Sequence, residues 1–351
     1  MNLSQKTIEL LEDIERRLNP EVEIDFENQW RDFLYDRFDG DVFVPQRKII
    51  SDPTTQLEQI NINDAINDYE LMLRKEMTAV SNSLNTKSNN IAIRANYGTG
   101  ILSSVFGADI FMMDRIHNTL PTTRAIPESE LRKIVEKGIP DIMNGLGRKV
   151  FEFAEFLNEA LKPYPKIRQF VRVYHPDLQG PLDICELLWG SGFFYALYDD
   201  PDFVHNFLSL ITNTYEVFMK EWFKFYPAAD DINPHWLCLY FRGKVLIRND
   251  SAMNLSLDFY DEFARPYDKK LLDAFNGGAV HFCGRGDHYI ESLCSIDSLY
   301  GVNISQPDLN DMEKIYQNTV DKKIRILALP SKNALADKNR KGAFNHCLSI
   351  G

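Results

Sequence analysis

The most chemically capable pair in this chain is a histidine and a cysteine one residue apart, in the run His281-Phe282-Cys283-Gly284. Alternate side chains of a β-strand share a face, so an imidazole and a thiol at this spacing project together. Both are zinc ligands. Cys347 falls on the run read as the last strand, and in a closed barrel the last strand neighbours the first, so it is the candidate third ligand. Three protein ligands with an open fourth position form the pattern of a catalytic zinc rather than a structural one. Such a metal can activate water, polarise a carbonyl or hold a substrate thiol as thiolate. The competing reading is plain burial, because free cysteine often packs as a small apolar side chain. Cys185, Cys238 and Cys294 lie in apolar runs and read that way, and His346 faces away from Cys347 on a strand.

Other polar residues follow the remaining apolar runs. Asn96 and Tyr97 precede Gly98 and Gly100, then come His175, Asp177 and Gln179, then Arg248-Asn249-Asp250, and later Gln306. Polar residues at nearly every strand end imply a polar cavity at one rim. Asn96, Tyr97, His175, Gln179, Arg248, Asn249 and Gln306 are the candidate substrate contacts. Asp177 and Asp250 are the candidate catalytic carboxyls, able to exchange protons if burial raises their pKa. The alternative for either aspartate is a helix N-cap.

The elements that must position these residues are visible in the pattern. Short β-rich runs occur at Ile91–Ala95, Phe170–Tyr174, Trp236–Phe241, Val245–Arg248, Ala279–Phe282, Val302–Ser305, Ile324–Leu329 and Phe344–Ile350. Helical patterns such as Asp202–Lys224, Leu257–Phe275 and Asp311–Val320 separate them. Strands alternating with helices imply βαβ units and a parallel sheet. The expectation is an α/β chain, a (β/α)8 TIM barrel over residues 91–351 with an N-terminal helical extension over 1–90. In that extension apolar residues recur at helical spacing behind a Ser4 cap and again from Phe26 to Phe38, as core-facing helix surfaces do.

Composition excludes several classes. The 351 residues carry a net charge of −12, and no basic stripe offsets it, so nucleic acid is not the expected partner. The N-terminus carries Glu9, Glu12, Asp13 and Glu15 among its apolar residues and does not read as a signal peptide. No apolar run is long enough to span a membrane. The cysteines number five and lie far apart, which suits reduced thiols and a cytoplasmic setting.

Several of these runs together resemble one family. Asp177-Leu178-Gln179-Gly180-Pro181 followed by Trp189-Gly190 is similar to the D-x-x-G-P signature of the uroporphyrinogen decarboxylase and cobalamin-dependent methyltransferase superfamily. The aromatic stretch Phe193–Tyr198 before Asp199-Asp200-Pro201, then Asn249-Asp250-Ser251, then Tyr260–Tyr267 resemble its later elements, and His281-x-Cys283-Gly284 with Gln306-Pro307-Asp308 resembles its H-x-C-G branch. The likeness runs from Asn96 to the C-terminus and implies a (β/α)8 barrel with its cleft at the strands' carboxyl ends. In the methyltransferase branch the H-x-C pair and a later cysteine bind zinc, which activates a thiol for methylation by a methyl-corrinoid. Carried over residue by residue, this implies His281, Cys283 and Cys347 as ligands, a corrinoid methyl donor, a corrinoid-protein partner and a small-molecule acceptor. The decarboxylase branch uses an arginine-rich N-terminal segment and an aspartate after the first strand. Here the region of Arg31 and Arg47 lacks that run, and Asn96-Tyr97 stands at the aspartate's place. Relatives continue into a closing helix where this chain reaches Gly351, so either the N-terminal helices cap the barrel or the copy is shortened. Two alternatives stay open: a cofactor-independent decarboxylase of a tetrapyrrole or other polycarboxylate held by Arg94, Arg248 and Arg285, and a non-catalytic corrinoid- or porphyrin-binding protein.

Overall fold

The computed structural model describes residues 2–40 and 42–337 and the backbone of Phe344–Asn345. Local signals set the helix ends. The Ser4 side chain accepts the Thr7 amide to open the helix Gln5–Arg17. Pro20 begins the next one, Pro20–Leu34, in the first turn, where its missing N–H costs nothing. The expected helix over 257–275 is two, Leu257–Phe263 and Arg265–Ala274. Pro266 cannot donate the hydrogen bond that would carry one helix through this point.

Parallel strands form the frame, named here β1 (Val42–Phe43), β2 (Ala92–Ile93), β3 (Arg172–Val173), β4 (Val245–Arg248), β5 (Gly278–Phe282), β6 (Leu299–Ile304), β7 (Arg325–Leu327) and β8 (Phe344–Asn345). Hydrogen bonding orders six of them β1-β8-β7-β6-β5-β4 and pairs β2 with β3 separately. The chain is therefore mixed α/β with a parallel sheet, and main-chain pairing among the described residues does not close these strands into a ring. The run read as a strand over 236–241 is instead the turn and return arm of an antiparallel hairpin, Ile232–His235 with Leu239–Arg242. No described helix is long and apolar enough to cross a membrane.

Alternation along the strands sorts side chains into two cores. Val245, Ile247, Val280, Phe282, Val302, Ile304 and Ile326 face the large apolar cluster built with the helices. Leu246, Ala279 and Leu327 face the other way and meet Phe26, Trp30 and Phe33 of Pro20–Leu34 and Tyr240 and Phe241 of the hairpin. The N-terminal helices contribute to both cores, Leu10, Leu11 and Ile14 to the first and Phe26 to Phe33 to the second. On the inner face a polar row follows the apolar one. Arg248 pairs in register with His281, His281 with Asn303, and Asn303 with Leu327.

Side chains span the gap between the β2-β3 ladder and β4. The Leu246 amide donates to His175 Nε2 at 3.0 Å. Asp177, beyond β3, pairs with Arg94 beyond β2 at 3.5 Å and with Arg248 at the end of β4. The backbones close up just behind: a Cβ on Gly180 would lie 2.2 Å from the Arg248 carbonyl oxygen. Gly180→Ala is therefore expected to lower the unfolding free energy by about 1–3 kcal/mol, the usual range for overpacking. Urea denaturation of both proteins checks this.

Candidate functional site

The inner polar row fixes the state of His281. Asn303 Nδ2 donates to the Leu327 carbonyl at 2.6 Å, which leaves Oδ1 facing His281 Nδ1 at 2.5 Å. That oxygen can only accept, so His281 carries its proton on Nδ1 and presents a bare lone pair at Nε2. Burial lowers the imidazole pKa further, against the pull of Asp250.

Two groups face that lone pair. Cys283 Sγ lies 3.5 Å from His281 Nε2 and Asp250 Oδ1 lies 3.4 Å from it. Asp250 opens the short turn after β4, and its Oδ1 accepts the Cys283 amide at 2.9 Å. Its own amide and that of Ser251 donate to the two oxygens of Asp183, at 2.9 and 2.7 Å. Asp183 stands in the first turn of the helix Pro181–Trp189. Burial, helped by Asp250, pushes its carboxyl up to about 7. Burial pushes the Cys283 thiol up to about 11, with Asp250 adding to the rise.

The three ligand atoms of Asp250, His281 and Cys283 all lie within 4.8 Å of one another. Zinc bonds of about 2.0–2.3 Å imply tetrahedron edges of about 3.3–3.8 Å. Both separations measured from Nε2 fall in that range, and a nitrogen, a sulfur and a carboxylate oxygen are all zinc donors. The residues present fit the metal. Cys347, the ligand expected from the sequence, lies outside the described residues, and Asp250, read from the sequence as a proton carrier or a helix cap, stands as a donor.

The other candidates divide. Arg248 sits over the Trp236 ring at 4.7 Å and donates to His235 Nε2 at 3.1 Å. Trp236, at the hairpin turn with φ of 50°, lies edge-on to His281, ring centres 5.1 Å apart. Gln306 accepts the Gly284 amide at 2.5 Å and so steadies the loop after Cys283. Gln179 donates to Asp177 at 2.7 Å. Burial alone would raise the Asp177 carboxyl, but Arg248 and Arg94 outweigh it and hold it below the usual range. Asp177 is thus a fixed anion rather than a proton carrier, and neither aspartate caps the helix that follows it through its side chain. His175 is engaged by Leu246 and by the Pro176 carbonyl at 2.9 Å. Asn249 is buried and donates to Asp268 at 2.6 Å. Asn96 donates to Glu76 at 3.0 Å, and Tyr97 is packed in the large core, edge-on to Phe153. These two are not brought to the triad.

A cavity of about 400 Å³ adjoins Asp250, lined also by Thr99, Thr123, Gln179, Asp183 and Glu186. Asp183, Glu186, Asn303 and Trp236 were not singled out from the sequence. Only Asn303 left a usable signal, since it shares a strand face with Ser305 and immediately precedes the polar strand end.

The chain superposes on a methyltransferase from Methanosarcina mazei with a TM-score of 0.62, covering 92% of this chain and 93% of that one. The fold is methyltransferase-like. At 16% identity the likeness is one of fold alone. No family model and no curated protein matches the sequence.

Two outcomes are expected. Asn303→Leu frees the His281 ring and should weaken zinc binding by about 10–100-fold, the usual cost of losing a ligand's orienting partner; competition against a chromophoric chelator measures it. His175 has its pKa lowered by burial from 6.5 to about 4. Its contribution to stability is therefore complete above pH 6.5 and lost as pH falls toward 4. Denaturation at a series of pH values should show that decline in the wild type and a flatter one, from a lower plateau, in His175→Asn.

Proposed function

We propose that this chain is a zinc-dependent methyltransferase built on a (β/α)8 barrel of the uroporphyrinogen decarboxylase-like superfamily, transferring a methyl group from a corrinoid to a thiol acceptor. The observation that carries this reading is the convergence of His281 Nε2, Cys283 Sγ and Asp250 at the carboxyl ends of two neighbouring strands. Zinc at this point would hold an acceptor thiol as thiolate, the nucleophilic form.

The chain's own residues do the rest. Asn303 keeps the His281 lone pair directed at the site. Cys283 and Asp250 fix each other through the hydrogen bond that the Cys283 amide donates to Asp250 Oδ1. Cys347 is the proposed further ligand. Trp236 and the paired Arg248 wall one side of His281, and a low-dielectric wall strengthens charge interactions inside it. The acceptor enters by the adjoining cavity, and the methyl group arrives at the same rim on a corrinoid-protein partner.

The decarboxylase reading needs cations to hold substrate carboxylates. Arg94 and Arg248 are both paired with Asp177, and Arg285 with Asp287 at 2.7 Å. That engagement favours the methyltransferase.

Elemental analysis of the purified protein should find about one zinc per chain, the occupancy a single site of this kind allows. Cys283→Ser and His281→Ala should lose most of it while keeping the wild-type circular dichroism. With methylcobalamin and a thiol, the wild type should form the thioether and both variants should not. A wild type without zinc sinks the proposal, and full methyl transfer by Cys283→Ser does so independently.

A further inference from the structure

A second cavity, of about 380 Å³, opens toward the amino ends of β3 and β4, whereas the triad lies at the carboxyl ends of the strands. It occupies the seam where main-chain pairing between β3 and β4 is missing. Its lining includes Val173 of β3 and Lys244, the residue before β4. The helices Gly145–Ala160 and Pro201–Phe225 border it with their last turns.

The wall of this cavity offers donors. Arg172 and Tyr174 give their amides to the carbonyls of Ile91 and Ile93. The Val173 amide between them therefore points the other way, into the seam, where no strand receives it. Trp222 is buried in the same wall, and its indole N–H has no acceptor among the described residues. Arg168 is exposed at the rim and forms no ion pair among the described residues. Burial raises the pKa of the Tyr226 hydroxyl and the Arg168 charge opposes that rise, which places the guanidinium near the phenol.

The other two cations differ in their freedom. Lys244 meets Asp230 at 2.8 Å, but that carboxylate is 94% exposed, and a pair so open to water holds its lysine weakly. Arg172 is spent, gripping Glu27 through Nε and Nη2 at 3.0 Å each. Among the described residues no carboxyl lines the cavity, in a chain whose net charge is −12. The remaining surface is flat and apolar, with rings from Phe223, Phe225 and Tyr226. Apolar walls with a few polar groups, at this volume, are the usual make-up of a small-molecule site. Its histidine, His175, is engaged at both nitrogens, by the Pro176 carbonyl and the Leu246 amide. The cavity is therefore equipped to hold a molecule and not to transform it.

We propose that this cavity is a second small-molecule site, and that it takes an organic carboxylate with a flat apolar body, the anion toward Arg168 and Lys244 and the body against the rings. The site needs neither the metal nor the methyl-transfer reading.

The test uses three probes of equal length on the purified full chain, followed by titration calorimetry: 4-phenylbutyrate, 4-phenylbutan-1-ol and 4-phenylbutylammonium. The carboxylate should bind at least about tenfold more tightly than the ammonium, with the alcohol between, as complementary against like charge predicts. Arg168→Gln removes one exposed charge and should narrow that ratio by about threefold or more. Ala228→Trp puts a bulky ring into the lining and should weaken all three probes by about tenfold or more. Cys283→Ser should bind the carboxylate as the wild type does. An ammonium that binds as well as the carboxylate overturns the proposal, as does a ratio unmoved by Arg168→Gln or binding untouched by Ala228→Trp. Carboxylate binding lost in Cys283→Ser would put the anion on the triad and overturn it too, and so would no carboxylate binding at millimolar concentration.

Discussion

A single buried carboxylate joins the two parts of the sheet at the level of the site. Asp177 receives Arg94 from the end of β2 and Arg248 from the end of β4, and all three side chains are at most 10% exposed. Charges so placed are stable only in company, and removing one partner of such a set typically costs about 3–5 kcal/mol. Main-chain pairing stops at β3 on one side and at β4 on the other, so this ion triplet and the His175–Leu246 contact stand where a ladder would otherwise run. Arg248 thereby acquires a fixed position, braced by His235 and Trp236. It is also the first member of the inner polar row, so the order it brings passes directly to His281.

From that row the triad follows by register. Arg248 is level with His281, so Asp250, two residues on, comes level with Cys283. Asn303 then settles the imidazole tautomer, and Asp183 settles the turn that carries Asp250. Each group offering a lone pair is thus held by one that does not face the same point. Orientation by such outer partners is what gives a metal site its geometry before any ion arrives.

These dependencies explain which parts were legible in the sequence. Side-chain period along a strand is local, so His281-x-Cys283 was legible as a shared face. Helix ends marked by Ser4 and Pro20 were legible because capping and proline act within one turn. β1 was not, since its two residues, Val42 and Phe43, are too few to show a period. The run 236–241 had strand character, but alternation does not tell a parallel strand from the arm of a hairpin. At the site, residue types gathered at strand ends were visible while their engagements were not. Asp177 and His175 have the right chemistry and are occupied by Arg248 and Leu246. Asp183 and Asn303 act only through partners 67 and 22 positions away along the chain, a pairing created by the fold.

The electrostatics of the triad bear on what it can hold. His281 Nε2 is a lone pair, Asp250 is a carboxyl, and the thiol beside them is pushed up to about 11 by burial and by Asp250. The Cys283 thiol has one hydrogen to donate, and the Ser305 hydroxyl at 3.4 Å competes for it with His281 Nε2 at 3.5 Å. With its proton held on Nδ1 by Asn303, His281 turns an acceptor to the carboxylate oxygen of Asp250 at 3.4 Å. Two acceptors at that separation repel unless a proton or a metal ion lies between them. Burial and the nearby Arg248 both disfavour the proton by lowering the imidazole pKa. A metal ion would meet the same burial and the same arginine, but it would engage three donors where a proton engages two, and it would also draw the Cys283 proton away, because coordination deprotonates a thiol. The same carboxyls that raise the thiol's pKa without an ion are the ones that stabilise an ion once it binds. The arrangement thus gathers a nitrogen, a sulfur and a carboxylate oxygen within reach of one divalent cation.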